Sequence, residues 1–77
     1  MLVTIKYFGL LAEVTNCEEE TIDFSGSHIS ELLEALYTKY SNLKNKDFQV
    51  AQNQELAPFE AIISSKEIVL LPPFSGG

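Results

Sequence analysis

Residues 68–77 read Ile68-Val69-Leu70-Leu71-Pro72-Pro73-Phe74-Ser75-Gly76-Gly77. Residues 68–71 are apolar without interruption, which is typical of a strand that is buried on both faces or central in a sheet. Pro72 and Pro73 cannot extend a strand ladder, because neither carries a backbone N–H. The segment therefore predicts a central strand that ends at residue 71 and passes into an extended tail, residues 72–77.

A strand is also predicted at residues 2–8. The residues from Val3 to Tyr7 alternate between apolar and polar, which is the pattern of a half-buried strand. Residues 10–16 form a connection with room for one helical turn, and a second strand is expected at about residues 20–24. Two strands joined by so short a connection favour an antiparallel pair.

The clearest helix signal spans residues 29–40. Apolar residues recur there at the spacing of one face of an amphipathic helix. They are Ile29, Leu32, Leu33, Leu36, Tyr37 and Tyr40. Ser27 and His28 are alternative N-caps: Ser27 has the better cap chemistry, whereas His28 places Glu31 at the third helical position, where its charge favours the helix dipole.

Two short strands are expected between this helix and residues 68–71. Alternation over residues 48–52 predicts one strand, residues 53–54 a tight turn, and residues 55–56 a second strand. Residues 59–65 match no pattern. The order of elements indicates an α+β fold, with one main helix on one face of a mixed sheet. The first and last strands are expected to pair in parallel at its centre, in one domain of residues 1–71.

Composition limits the classes of function. The chain has 77 residues and a net charge of −6, from 5 Lys+Arg and 11 Asp+Glu. A chain this short has room for one small core and no deep cleft, so a self-contained enzyme is not expected. The acidic charge argues against nucleic acid or an anionic membrane as partner.

No membrane-span or signal-peptide pattern is present, so a cytoplasmic location is expected. The one cysteine, Cys17, excludes an intrachain disulfide or a multi-thiolate metal site.

The tail at residues 72–77 suits the presentation of one carboxylate. Pro72 and Pro73 hold it extended, and Gly76 and Gly77 add no side chains, so it forms a thin probe of roughly 20 Å. A carboxylate at its end can attack the α-phosphate of ATP to form an acyl-adenylate, which then accepts sulfur or an amine. The plainer interpretation is that the diglycine is only a flexible end.

Several segments together resemble the small subunit of molybdopterin synthase, a ubiquitin-like sulfur carrier of the MoaD type. They are Tyr7-Phe8-Gly9-Leu10-Leu11-Ala12-Glu13, Ile29-Ser30-Glu31-Leu32-Leu33-Glu34-Ala35-Leu36, Val50-Ala51-Gln52-Asn53 and residues 68–77. The last of these is the most specific. Residues 64–67, Ser-Ser-Lys-Glu, depart from the Gly-Asp turn that family members often carry before the last strand. That departure affects the geometry of a turn and leaves the tail unaffected.

The resemblance implies a β-grasp fold and a role in molybdenum cofactor biosynthesis. Gly77, preceded by Gly76, would be adenylated by an activating enzyme that uses ATP and converted to a thiocarboxylate. Its sulfur would pass to a cyclic pterin monophosphate precursor and form the molybdopterin dithiolene. Two small and two large subunits would assemble, with the pterin cavity in the large subunit. The isolated chain would then be non-catalytic and would bind no cofactor or metal of its own.

Phe8 is the main candidate for a partner contact. It alternates with Tyr7 and so is expected on the face opposite the helix, where an exposed aromatic residue indicates an interface. Phe59 and Phe74 are expected to join it. The predicted partner-binding residues are Phe8, Phe59, Pro72, Pro73, Phe74 and Ser75.

Three other features have structural interpretations. Cys17 has no His or basic residue beside it that would activate its thiol, so it is expected to be incidental. His28 is interpreted as a helix-start residue. Residues 18–20, all glutamate, are expected to form a solvated run, with recognition of a basic partner as the alternative.

The same tail chemistry is compatible with other functions. One alternative is a sulfur carrier for thiamin synthesis or tRNA thiolation. Another is a protein modifier that is joined through Gly77 to a lysine of its target. A third is an interaction module whose tail has no function, in which case removal of Gly76 and Gly77 would change nothing.

Overall fold

The computed structural model describes residues 1–73, so the predictions made for Phe74, Ser75, Gly76 and Gly77 lie outside the described residues. The elements are β1 (Leu2–Tyr7), α1 (Leu10–Thr15), β2 (Glu19–Asp23), α2 (Ile29–Lys39), a 3₁₀ helix (Ser41–Asn45), β3 (Gln49–Gln52), β4 (Glu55–Ala57) and β5 (Glu67–Leu71). Each predicted strand and the main helix are present, within one residue at either end. The connection after β1 holds a short helix, α1.

The five strands form one mixed sheet in the order β2-β1-β5-β3-β4. β5 lies at its centre and runs parallel to β1, with Ile5 opposite Ile68 and Tyr7 opposite Leu70. The other neighbouring pairs are antiparallel. The predicted α+β class, with the first and last strands parallel in the middle, is confirmed.

One face of the sheet is covered by α2. Alternate strand residues and the apolar stripe of the helix form a single buried cluster, as period-2 strands and a 3.6-period helix require when they share a core. The strands contribute Val3, Ile5, Tyr7, Val50, Ile68 and Leu70, and α2 contributes Ile29, Leu32, Leu33 and Leu36. Burying a side chain of this size stabilises the fold by about 1.5–3 kcal/mol.

His28, and not Ser27, is the N-cap of α2. Glu31 Oε1 accepts the backbone N–H groups of both Ser27 and His28, each at 2.9 Å. These bonds lower the pKa of the Glu31 carboxyl to about 2. A charged Glu31 therefore satisfies donors that the first turn of a helix leaves unpaired.

The hairpin between β3 and β4 turns at Asn53 and Gln54, as predicted. Their φ angles are 55° and 65°, and two consecutive positive φ angles are those of the type I′ turn that matches the twist of paired strands. β4 then ends at Ala57, before Pro58.

The segment that matched no pattern, residues 59–65, is a loop held by long-range hydrogen bonds. The backbone N–H of Ser30 donates to the Phe59 carbonyl at 2.7 Å, and that of Ile63 to the Ser27 carbonyl at 2.8 Å. The buried Gln52 amide donates to the Ile62 carbonyl and accepts from the Ser64 N–H, both at 2.9 Å. Since its partners lie far along the chain, the loop has no local periodicity.

Candidate functional site

The open face of the sheet, opposite α2, carries an apolar patch at its centre. Ala51 lies opposite Leu56 on β4 and opposite Val69 on β5, so the three form one row across three strands. Leu71 lies two residues after Val69 and shares its face. We call Ala51, Leu56, Val69 and Leu71 the open-face patch. Leu56 is 61% exposed, the others are half-buried, and all four line a hollow of about 440 Å³.

Polar pairs border this patch on the β1 side. Lys6 Nζ lies 3.3 Å from Glu67 Oε2, and the hydroxyls of Thr4 and Thr21 are 2.9 Å apart. Exposed pairs of this kind contribute at most about 1 kcal/mol to stability. An apolar centre with a polar border is the usual anatomy of a protein–protein interface.

Phe8 extends the open face beyond the end of β1. Its backbone N–H donates to the Leu70 carbonyl at 3.1 Å, so the pairing of β1 with β5 continues for one more residue. Tyr7 is 1% exposed under α2, whereas Phe8 is 47% exposed. The alternation predicted from the sequence is therefore present, and Phe8 lies at the Leu71 end of the open-face patch. Its role in partner binding stays a prediction.

Phe59 belongs to a different cluster from Phe8. Its ring stacks on Phe48 with centroids 5.6 Å apart, and Phe48 meets Tyr37 of α2 edge-on. Phe48 lies two residues before the buried Val50 and so shares the covered face. The expectation that Phe59 joins Phe8 in one patch is wrong, because the hydrogen bonds of residues 59–65 hold this loop against the start of α2. A partner contact at Phe59 remains a prediction.

The tail begins at the end of the central strand. β5 ends at Leu71, and Pro72 and Pro73, both exposed, follow directly. The predicted site residues Phe74, Ser75, Gly76 and Gly77 lie beyond the described residues. The open-face patch therefore extends along β5 from Val69 to Leu71, and at the Leu71 end it meets Phe8 and the root of the tail. These residues are distant in sequence.

Glu20 is not part of a solvated run, in contrast to Glu18 and Glu19, which are exposed. It lies opposite Ile5 on β1, which places its side chain on the covered face. Its carboxylate accepts the hydroxyl of Tyr7 at 2.7 Å and that of Tyr40 at 2.6 Å, and pairs with Lys39. The prediction for residues 18–20 is therefore wrong at Glu20, because strand alternation turns it inward.

This network joins β1, β2 and the end of α2. Burial alone would raise the pKa of Glu20, but the hydrogen bonds from Lys39, Tyr40 and Tyr7 outweigh it and hold that pKa below its usual value. Burial, and then the hydrogen bond to Glu20, raise the pKa of Tyr7 and of Tyr40 well above 10.0. The tyrosines are therefore neutral donors to a charged carboxylate. The sequence signal for this was available, since Glu20 keeps the alternation of Ile22 and Phe24.

Cys17 lies beside this network and is half-buried. Its Sγ is 3.7 Å from Thr15 Oγ1 and 3.9 Å from Glu20 Oε2 and from the Tyr40 hydroxyl, so its polar contacts are weak. Within residues 1–73, His, Cys, Asp and Glu side chains form no group of three or more that could hold a metal ion. In that same range, no helix has the length and apolar character needed to cross a membrane.

Comparisons with known proteins agree with this geometry. The ThiS family matches residues 5–77. A Pyrococcus furiosus protein, named as a candidate molybdopterin converting factor subunit 1, superposes with a TM-score of 0.86 at 19% identity, over 96% of this chain and 99% of its own.

Two archaeal structures are also similar. SAMP1 from Haloferax volcanii has a TM-score of 0.78 at 28% identity, over 100% of both chains. The small archaeal modifier protein 1 from Methanosarcina acetivorans has a TM-score of 0.76 at 24% identity, over 99% of this chain and 96% of its own. The mixed sheet with one packed helix is thus a ubiquitin-like β-grasp, as the sequence predicted.

Proposed function

The chain belongs to the ThiS family, and as a ubiquitin-like sulfur carrier of that family it acts with partner enzymes. From this premise we propose that it is the sulfur-donating small subunit of molybdopterin synthase. The proposal rests on one observation: the open-face patch includes residues of β5, and β5 leads directly through Pro72 into the tail. A docking surface and a tail that carries the reacting group then share one strand. The form Leu-Pro-Pro-Phe-Ser-Gly-Gly of residues 71–77 supports this pathway over others.

The chemistry of the proposal resides in the last residue. A carboxylate oxygen of Gly77 attacks the α-phosphorus of ATP on the activating enzyme, and pyrophosphate leaves. Sulfide, or a sulfur donor equivalent to it, attacks the acyl carbon and displaces AMP, which leaves a thiocarboxylate. The thiocarboxylate sulfur then attacks a carbon of the cyclic pterin monophosphate and displaces an oxygen leaving group, which joins the carrier and the pterin through a thioester. Water cleaves the acyl–sulfur bond of this thioester, so the sulfur stays on the pterin as a thiolate and the Gly77 carboxylate is regenerated. Gly76 and Gly77 suit these steps because neither places a side chain beside the acyl carbon.

The remaining parts of the site belong to partners. This chain has an acidic net charge of −6, which disfavours binding of a phosphorylated pterin, so the anion-binding residues and the acid and base are assigned to the large subunit. Phe8, the open-face patch, Pro72, Pro73, Phe74 and Ser75 are the proposed contacts. The proposed assembly contains two small and two large subunits. No cofactor is assigned to this chain, and ATP is consumed by the activating enzyme.

The test is reconstitution with an activating enzyme, ATP and sulfide, read by intact and peptide mass spectrometry. The wild-type chain is expected to exchange one oxygen for sulfur in the peptide that contains Gly77. Deletion of Gly77, or addition of one alanine after it, should abolish sulfur transfer and leave the fold intact, since misplacement by about 1 Å can cost roughly a hundredfold in rate.

Cys17→Ser is the matched control, because it removes the only thiol of the chain and should leave sulfur transfer unchanged. Sulfur found on Cys17, or wild-type activity in the chain extended by alanine, would contradict the proposal. The pathway is tested by adding a molybdopterin synthase large subunit and the cyclic pterin to the reconstituted reaction and measuring sulfuration of the pterin. Formation of the thiocarboxylate without pterin sulfuration would favour thiamin synthesis or tRNA thiolation.

A second candidate is a protein modifier. The observation in its favour is the 28% identity to SAMP1 of Haloferax volcanii over the whole of both chains. In this case the activated Gly77 carbonyl forms an amide with a lysine of a target protein. Covalent conjugates in cell extract that carry a Gly77–lysine linkage, and that disappear when Gly77 is deleted, would support this function.

A further inference from the structure

Gly9, which follows Phe8 and precedes α1, approaches the root of the tail closely. Its backbone has φ 59° and ψ −135°, a conformation that residues with a side chain rarely adopt. A Cβ at Gly9 would lie 2.8 Å from Cγ of Pro72 and 3.7 Å from its Cδ. A contact as short as 2.8 Å forces either the proline ring or the backbone to move.

The surroundings of Pro72 explain why this approach matters. Pro72 and Pro73 border a hollow of about 320 Å³ whose other walls include Leu10, Leu11 and residues 45–47. Leu11 is buried and fixes α1 in the core. Gly9 joins β1, which pairs with β5, to α1, so the backbone against which Pro72 lies is held from both sides.

We infer that Gly9 is a positioning residue for the tail: the missing side chain lets Pro72 lie against the β1–α1 turn, and this contact sets the direction in which the chain leaves the sheet. The inference rests on the proposed function, in which the tail must reach a reacting centre in a partner. It differs from that proposal in assigning a role to a residue that touches neither ATP nor the acyl carbon. Gly9 acts only through Pro72.

A side chain at Gly9 should therefore lower the rate of thiocarboxylation more than it lowers the affinity for a partner. Because Pro72 has a fixed φ, a shift at its ring is transmitted to the residues after it. A displacement of about 1 Å at a reacting group can cost roughly a hundredfold in rate. The open-face patch lies on β3, β4 and β5 and does not include Gly9, so partner affinity should fall by less than the rate does.

The experiment compares Gly9→Ala with Gly26→Ala and places Gly9→Ala in a Pro72→Ala background. Gly26 is the matched control, since a Cβ there would also be crowded, but by the ring of Phe24 and not by the tail. Pro72→Ala removes the ring atoms that Gly9 approaches. Three quantities are measured: kcat of thiocarboxylation, the Kd for the activating enzyme, and the nuclear Overhauser effect between Gly9 Hα and Pro72 Hγ.

Gly9→Ala is expected to lower kcat by about tenfold to a hundredfold, to change the Kd by a much smaller factor, and to abolish the Overhauser effect between residues 9 and 72. Gly26→Ala should retain kcat. In the Pro72→Ala background the ring contact is absent and only the cost of a side chain at a φ of 59° remains, so Gly9→Ala should lower kcat by much less than it does in the wild-type chain. If Gly9→Ala alone fails to fold, the double variant is compared with Pro72→Ala: kcat values that agree within about threefold support the inference, and a further loss of about tenfold or more overturns it.

Equal losses of kcat in both backgrounds, an equal loss in Gly26→Ala, or wild-type kcat in Gly9→Ala would each overturn the inference. Absence of the Overhauser effect between Gly9 and Pro72 in the wild-type chain would overturn it as well, whatever the enzyme assays give. Failure of the proposed function is distinct, because the wild-type chain itself would then acquire no sulfur.

Discussion

The two faces of the sheet carry apolar residues from the same strands but differ in what covers them. On β5, Ile68 and Leu70 are both 0% exposed beneath α2, whereas Val69 and Leu71 on the opposite face are half-buried. Apolar surface left uncovered on a small protein marks an interaction site more often than a defect of packing. One half of the central strand therefore stabilises the domain, while the other half is available to a partner.

The difference also separates two kinds of experiment. Substitutions on the covered face should act on the free energy of unfolding, and substitutions on the open face should act on partner affinity. A domain of this size is stable by only about 4–12 kcal/mol, so a change of a few kcal/mol is readily measured. Paired substitutions on the two faces test that separation.

The largest expected effect is that of Leu70→Ala. Removing a fully buried leucine costs its transfer free energy and leaves a cavity, so the free energy of unfolding should fall by about 2–5 kcal/mol. Leu71→Ala is the matched variant on the open face and should cost less than about 1 kcal/mol, since only part of that side chain is buried. Urea unfolding of the two variants measures both. Equal losses would show that the faces do not differ in this way.

Phe8→Asp should weaken large-subunit binding by at least about 2 kcal/mol, roughly thirtyfold, because a charge buried without a partner at an interface is costly. The isolated domain should remain folded, as Phe8 is 47% exposed. Titration calorimetry and far-ultraviolet circular dichroism give the two readouts. Ala35→Asp, which adds the same charge at an exposed position on α2, is the control. Loss of the folded signal in Phe8→Asp would place Phe8 in the core.

Glu20→Ala should lower the free energy of unfolding by about 1–3 kcal/mol, because the hydroxyl of the buried Tyr7 loses its acceptor. Glu19→Ala, on the neighbouring residue of β2, should change it by less than about 0.5 kcal/mol. The contrast is measured by thermal or urea unfolding. Similar values for both variants would mean that the network around Glu20 contributes no more than solvated charges do.

The smallest effect is expected at Glu31 and depends on pH. Its folded-state pKa of about 2 lies below the usual value of 4.5, so its contribution is complete above pH 4.5 and is lost as pH falls through about 2. The stability difference between wild type and Glu31→Gln should therefore narrow over that range. Glu34→Gln, on the exposed side of α2, is the control, and a difference for Glu31→Gln that is constant with pH would contradict the prediction.

Sequence patterns are accurate where the determining contacts are local. The type I′ turn at Asn53 and Gln54 and the helix stripe from Ile29 to Leu36 depend on neighbours a few residues away. The loop at residues 59–65 has no such signal, because the buried Gln52 amide and the turn before α2 hold it in place. The position of Phe59 away from Phe8 has the same origin: alternation assigns faces within a strand but does not predict where a loop folds back.

Alternation and periodicity predicted the α+β class and the exposure of Phe8, because each depends on a pattern repeated over consecutive residues. The order of the elements predicted the parallel pairing of the first and last strands, and the resemblance of residues 68–77 and the other segments implied the β-grasp fold. The tertiary structure decided which apolar half of β5 is covered, supplied Tyr7 and Tyr40 as the donors that face the inward-pointing Glu20, and brought Gly9 against Pro72. Those outcomes depend on residues that are distant in sequence and meet only when α2 packs on one side of the sheet. A linear pattern contains no information about such meetings.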